Sequence, residues 1–390
     1  MPRRFSVRSS SRSISLGIIA AVVSGSVATP TVFAQTNYSW IGGASGDWLN
    51  SANWSPTGAP GIVGTTGNID RAFFDGAAGT ASAINMNTGF NLGAIIASGG
   101  VGGTGTAAFS GNSAFVVHGN YSVDGFNNVV VSAEGAKDLA VTLTNMNFDF
   151  GSPPTTPNVF YAGAGRKAVI TAQSIQNLGG TVSKEGAGTV LWSGESHLNN
   201  ATLNINHGTL GGRLHLNEAP TINVATGAAL QAGLAPLDTW STGGVIHWAD
   251  HAQLKIVTDG TNVSTLLNAP GEKGVDDIFD IVLTGFNPAG GQTFNPTGFV
   301  YISTLLTGFD PNGFYNPSAP GHFNVLGDGF FVSDWGVEVL NANQIRLAFF
   351  SVGIVPEPGT WMMIGAAAVA GFGWRRWRRG FAMIGVNTNR

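Results

Sequence analysis

The chain has 390 residues, of which 10% are charged, 43% are hydrophobic and 57 are glycine, with a formal net charge of −4. Ordinary globular domains carry about 25% charged residues and about half this share of glycine, so a helix-rich fold is disfavoured. The apolar content is too high for a disordered linker. Between Gln35 and Ile354, 9 basic residues face 21 acidic ones, a net of −12. That argues against nucleic acid, which needs clustered Lys and Arg, and the absence of cysteine excludes disulfides and thiolate metal sites.

Residues 1–34 read as a targeting segment. Arg3, Arg4, Arg8 and Arg12 form a basic start, Ile14 to Val27 is apolar, and Val32-Phe33-Ala34 puts small residues at the −3 and −1 positions. This pattern predicts export through the Sec translocon, with signal peptidase cutting between Ala34 and Gln35. Next come Trp40, Trp48 and Trp54 among Gly, Asn and Asp. Three tryptophans so close could stack on carbohydrate, but aromatics among tight turns are better read as the cap of a β-stack. The segment resembles the N-terminal part of proteins with autotransporter-associated β-strand repeats.

From about 80 to 180, short β-like runs such as Phe115-Val116-Val117 and Val129-Val130-Val131 alternate with Gly, Asn, Asp and Ser. No window has a capped 3.6-residue apolar stripe, so the segment is predicted all-β. The three prolines of 151–157 mark a loop. At 182–212 the chain reads Lys184-Glu185-Gly186-Ala187-Gly188-Thr189 and then Asn206-His207-Gly208-Thr209-Leu210. A Lys-x-Gly-x-Gly-Thr start and an Asn-x-Gly-Thr-Leu end about twenty residues apart resemble one autotransporter-associated β-strand repeat. The resemblance implies a parallel, right-handed β-helix or solenoid over 35–235. Repeats of roughly 20–45 residues would give on the order of 7–15 coils in the mature chain. Residues 236–350 read as a β-rich closing segment, with a hairpin expected over 336–349.

The C-terminal end combines three features. Val355-Pro356-Glu357-Pro358 is extended and short of backbone donors. Pro358 to Trp374 carries no charge, at the low end of what spans a bilayer as one transmembrane helix. Arg375, Arg376, Arg378 and Arg379 follow, and would hold the end of that helix in the cytoplasm. In this order the parts resemble the PEP-CTERM sorting signal of exported Gram-negative proteins. The resemblance, over about 355–379, implies an exosortase, a membrane cysteine transpeptidase thought to act at the triplet, and transient association with the inner membrane. The signal normally stops soon after its arginines, whereas here residues 380–390 form an extra tail. An ordinary membrane anchor is the alternative.

Few interior residues suggest chemistry. Gly100 to Gly105 matches a dinucleotide fingerprint formally, but no helix is expected after it. His247 and His251 flank Asp250; on a strand the two rings would stand some 13 Å apart by strand rise, too far for one ion. Asp276, Asp277 and Asp280 are the best enzymatic candidates, since β-helical lyases and hydrolases use carboxylates. Basic partners are scarce, so a solvated loop is preferred. Five Asn-x-Ser/Thr sequons, at Asn37, Asn53, Asn120, Asn200 and Asn262, follow from composition. No catalytic residue, metal site or cofactor is assigned.

Two readings result. The first is a non-catalytic exported solenoid at the cell surface or in the extracellular matrix, acting in adhesion, matrix structure or surface display, with extracellular polysaccharide as a possible partner. The second is a secreted β-helical polysaccharide-active enzyme, which would need carboxylates of adjacent coils about 5–10 Å apart in an open groove.

Overall fold

A computed structural model describes Gln35 to Phe349, leaving out position 44 and the stretches 62–69, 75–81, 87–88, 99–102, 111–114, 152–156, 178–179, 199–200, 217–219, 268–270, 274–276, 286–299, 303–305, 308–313, 316–322, 329–334 and 341–343. Apart from a single 3-10 turn at Ser51–Asn53, the regular structure among the described residues is β-strand. Among those residues one sheet has twelve strands and the other twenty, and nearly all pairings are parallel.

The connectivity follows one rule. Val182–Glu185 pairs in parallel with Thr202–Ile205, which pairs with Thr221–Val224, then Ile246–Trp248. Between these come Thr189–His197, Thr209–Leu216, Ala229–Ala232 and Ala252–Val257, stacked in the same order. Each circuit lays its strands on those of the circuit before it. This is the connectivity of a parallel β-solenoid. The larger sheet forms two ladders, because long strands serve both: within Lys167–Asn177, Ala168 pairs with Leu139 of one ladder and Ile175 with Phe148 of the other. We call the twelve-stranded sheet the first ladder and these two the second and third.

Side-chain alternation then builds the core. In the second ladder, Leu139, Ala168, Val190, Leu210, Leu230, Leu254, Ile281 and Val325 stand in register along eight strands, and all are buried. In the first ladder the inward row is Val131, Phe160, Lys184, Ile205, Val224 and Trp248. One member of that row is a lysine.

The N-terminal end is closed by aromatics. Trp54–Ser55 runs antiparallel to Asn37–Trp40. Trp48 and Trp54 are buried with ring centroids 4.7 Å apart, and Trp48 lies 5.1 Å from Phe90. Their indole N–H groups donate to Pro60 O and Trp48 O, at 2.8 and 2.9 Å. A sugar-stacking platform would have to expose these rings; they plug the stack instead. At the other end Trp335–Leu340 and Gln344–Phe349 form the antiparallel hairpin expected there. Among the described residues no helix is long and apolar enough to cross a membrane. The expected transmembrane helix and the segment 1–34 lie outside those residues.

Candidate functional site

Lys184 sits in the inward row between Phe160 and Ile205 and is 1% exposed. An ammonium in that position needs an acceptor for each of its three N–H bonds. It finds them at a turn, donating to the backbone oxygens of Glu185, Gly186 and His207 at 2.8, 2.6 and 2.9 Å. Burial pushes its pKa down to about 7, against the opposing pull of the Glu185 carboxylate. The glycines of Lys-x-Gly-x-Gly-Thr serve the same turn. Gly186 has φ 75°, and a Cβ there would stand 2.3 Å from Ala162 O. The turns are also bonded along the stack, Gly188 N to Ala162 O at 2.8 Å and Thr209 N to Gly188 O at 3.0 Å. The motif is thus a corner whose backbone is locked by a buried lysine.

Glu185, next on the strand, faces outward and is buried nonetheless. Its carboxylate accepts from Asn206 Nδ2 and lies 2.9 Å from His207 Nδ1. Beside it, in register, Tyr161 donates to Asp124. What covers this outer surface is a loop whose tip, Val123-Asp124-Gly125-Phe126, closes with reciprocal backbone bonds of 3.0 and 2.8 Å. Both central residues have positive φ, 48° and 84°, as a primed hairpin turn requires. Tyr121, Val123 and Phe126 pack on Val129, Val159 and Tyr161. Tyr121 donates to Glu134 at 2.8 Å, while Arg71 donates to Asn120 O and lies 4.8 Å over the Tyr121 ring. Burial, the bond to Asp124, and the charges of Asp124 and Glu134 together push the Tyr161 hydroxyl up to about 12. It stays a protonated donor. The arrangement ties a loop to a sheet, and its groups are spent on one another. Val123-Asp124-Gly125-Phe126 is the sequence signal for this cover, a two-residue turn between apolar residues.

His247 lies on Ile246–Trp248 with Nδ1 3.2 Å from Glu272, whereas His251 lies in the following turn with Nδ1 3.3 Å from Asp280. The two rings turn to different ladders. Asp280 is buried, accepting 2.9 Å from Asn324 Nδ2, and Asp250 caps Ile278 N at 2.8 Å. Asp276 lies outside the described residues, so the acidic cluster is seen only in part. Gly103–Ser110 is a strand, and Gly105 fits against Phe74 O where a Cβ would stand at 2.5 Å. Among the described residues no group of three or more His, Asp or Glu is arranged to hold a metal ion.

Gln35, the first described residue, reaches Asn120 O with its side-chain amide at 2.7 Å. Ala34, Val355, Pro356, Glu357, Pro358, Arg375, Arg376, Arg378 and Arg379 lie outside the described residues. Residues 355–379 match the PEP-CTERM protein-sorting motif. That motif implies export and processing by an exosortase-like system, with membrane-associated sorting toward the cell surface. No curated protein and no solved structure matches the chain.

Proposed function

We propose that this chain is an exported, non-catalytic β-solenoid, delivered to the cell surface or extracellular matrix and acting there in adhesion, matrix structure or surface display. The observation that carries the proposal is the sorting motif at 355–379, placed after a long parallel β-stack. In this reading residues 1–34 are removed after Ala34 by signal peptidase, and 358–374 holds the chain briefly in the inner membrane. An exosortase-like transpeptidase then acts at Pro356-Glu357-Pro358. The coil would take the right-handed sense that strand twist favours for parallel crossovers, and 182–212 would be an autotransporter-associated repeat. Supporting a structural role, Asp280, Asp250, Glu185 and Asp124 each serve hydrogen bonds within the fold. The distribution of charge agrees: nine of the 18 basic residues lie in 1–12 or 375–390, the two ends that transport would discard.

The test is the intact mass of the protein recovered from cell surface and medium, with and without Pro356-Glu357-Pro358. The wild type is expected to lack everything beyond the triplet, and the deletion to stay in membranes. Wild-type protein still carrying Arg375 to Arg390 at its final location would refute the proposal.

A further inference from the structure

The outer surface of the second ladder carries a trough of about 270 Å³, lined by Lys167, Thr189, Leu191, Gln231, Val257 and Thr284 among others. These residues come from five strands within a run of six successive coils, from Lys167–Asn177 to Phe279–Thr284. At the usual spacing between strands that distance is about 24 Å along the stack. Gly211 stands in register between Leu191 and Gln231 and makes room for Gln231, whose Cβ would lie 2.4 Å from a Cβ there.

Charge distinguishes this surface. The chain between Gln35 and Ile354 is acidic overall, and two arginines on nearby strands are paired, Arg166 with Asp138 and Arg213 with Asp238. Lys167 and Lys255 are not: among the described residues neither ammonium meets a carboxylate. Lys255, in register with Gln231, lays its ammonium back along the ladder to Thr209 Oγ1 at 3.0 Å. Thr209 is in register with Thr189, and Thr189 with Lys167. The Lys255 ammonium is therefore held about two coils, or roughly 10 Å, from the backbone position of Lys167 along the ladder.

We infer that this trough binds a linear acidic glycan, one strand lying along the solenoid axis. The lining suits a pyranose chain, which presents C–H groups to Leu191 and Val257 and hydroxyls to Thr189, Gln231 and Thr284, while carboxylates meet Lys167 in the lining and Lys255, which adjoins it in register with Gln231. An extended peptide is less well served, because the strands beneath are paired on both sides and offer no free edge for strand addition. The inference rests on the extracellular role proposed above. The two fail separately: unprocessed protein would refute the sorting, whereas loss of binding would refute only the ligand.

The full-length chain in mild detergent is titrated with alginate oligomers, and with dextran oligomers, polyglutamate and oleate of matched concentration. The expected result is binding of alginate alone, weakened by salt. Lys167→Gln and Lys255→Gln should each weaken it about threefold and together about tenfold, with thermal unfolding unchanged in the absence of glycan. Absence of alginate binding, affinity unchanged in the double variant, or equal binding of dextran, polyglutamate or oleate would overturn the inference.

Discussion

Lys184 concentrates the physics of this chain in one side chain. Its folded pKa, about 7, lies below the ordinary lysine value of 10.5. Between those values the unfolded chain binds more protons than the folded one, so stability rises with pH across that window. Below about 7 the ammonium is charged in both states and the cost of burying it is fully present. At pH 9 the folded amine is neutral and still donates to carbonyls of the corner, and part of that cost is relieved. Lys184→Met is therefore expected to destabilise the protein by about 2 kcal/mol at pH 9, for lost hydrogen bonds to buried carbonyls, and by less at pH 6. Urea unfolding at the two pH values measures this; an equal effect at both would contradict the assignment. Tyr161 acts in the opposite sense. Its folded pKa, about 12, lies above the ordinary 10.0, so the stability it contributes is lost as pH rises from 10 to 12.

At the scale of the element, the long strands owe their double service to bends. Thr209–Leu216 gives its first half to the second ladder and His215 and Leu216 to the third. The bend is at Gly212, with φ 135°, where a Cβ would stand 1.8 Å from Trp192 O. No flexible side chain can yield there, since the obstacle is backbone. Gly212→Ala is expected to cost roughly 3 kcal/mol or more through strain and overpacking. The readout is the midpoint of denaturant unfolding, and a shift under about 1 kcal/mol would show that the strand bends elsewhere. The loop tip at Asp124 and Gly125 has the same logic in reverse. Positive φ at both residues folds the chain back, and the cover gains the burial of Tyr161 and Val159 beneath it.

For the whole molecule, each coil is bound chiefly to its two neighbours, as in other solenoids. Thr202 and Thr221 occupy the same place on successive coils. Deleting Thr202 to Pro220 joins Ala201 to Thr221 with every later residue still in register, so the variant should fold with reduced stability. Deleting only Thr202 to Gly211 breaks the register of all that follows and should abolish cooperative folding. Circular dichroism with thermal melting separates the outcomes, and similar melts for both deletions would refute a coil-by-coil stack.

The sequence alone determined a β-rich, glycine-turned chain, a hairpin near 336–349 and the sorting motif at 355–379, because each is written in local composition, alternation or spacing. Lys-x-Gly-x-Gly-Thr was visible as a pattern, but its reason was not. That Lys184 faces inward depends on the register Phe160–Lys184–Ile205, which pairs residues twenty or more positions apart. The same holds for His247 and His251, five residues that look like one site and that stacking divides between Glu272 and Asp280. It holds also for Trp48, packed on Phe90, Phe109 and Phe115, and for Trp54, packed on Phe74, all from later in the chain. The tertiary structure decided which side of each strand meets the core, since a strand fixes that its faces alternate and only its neighbours fix which face is inside.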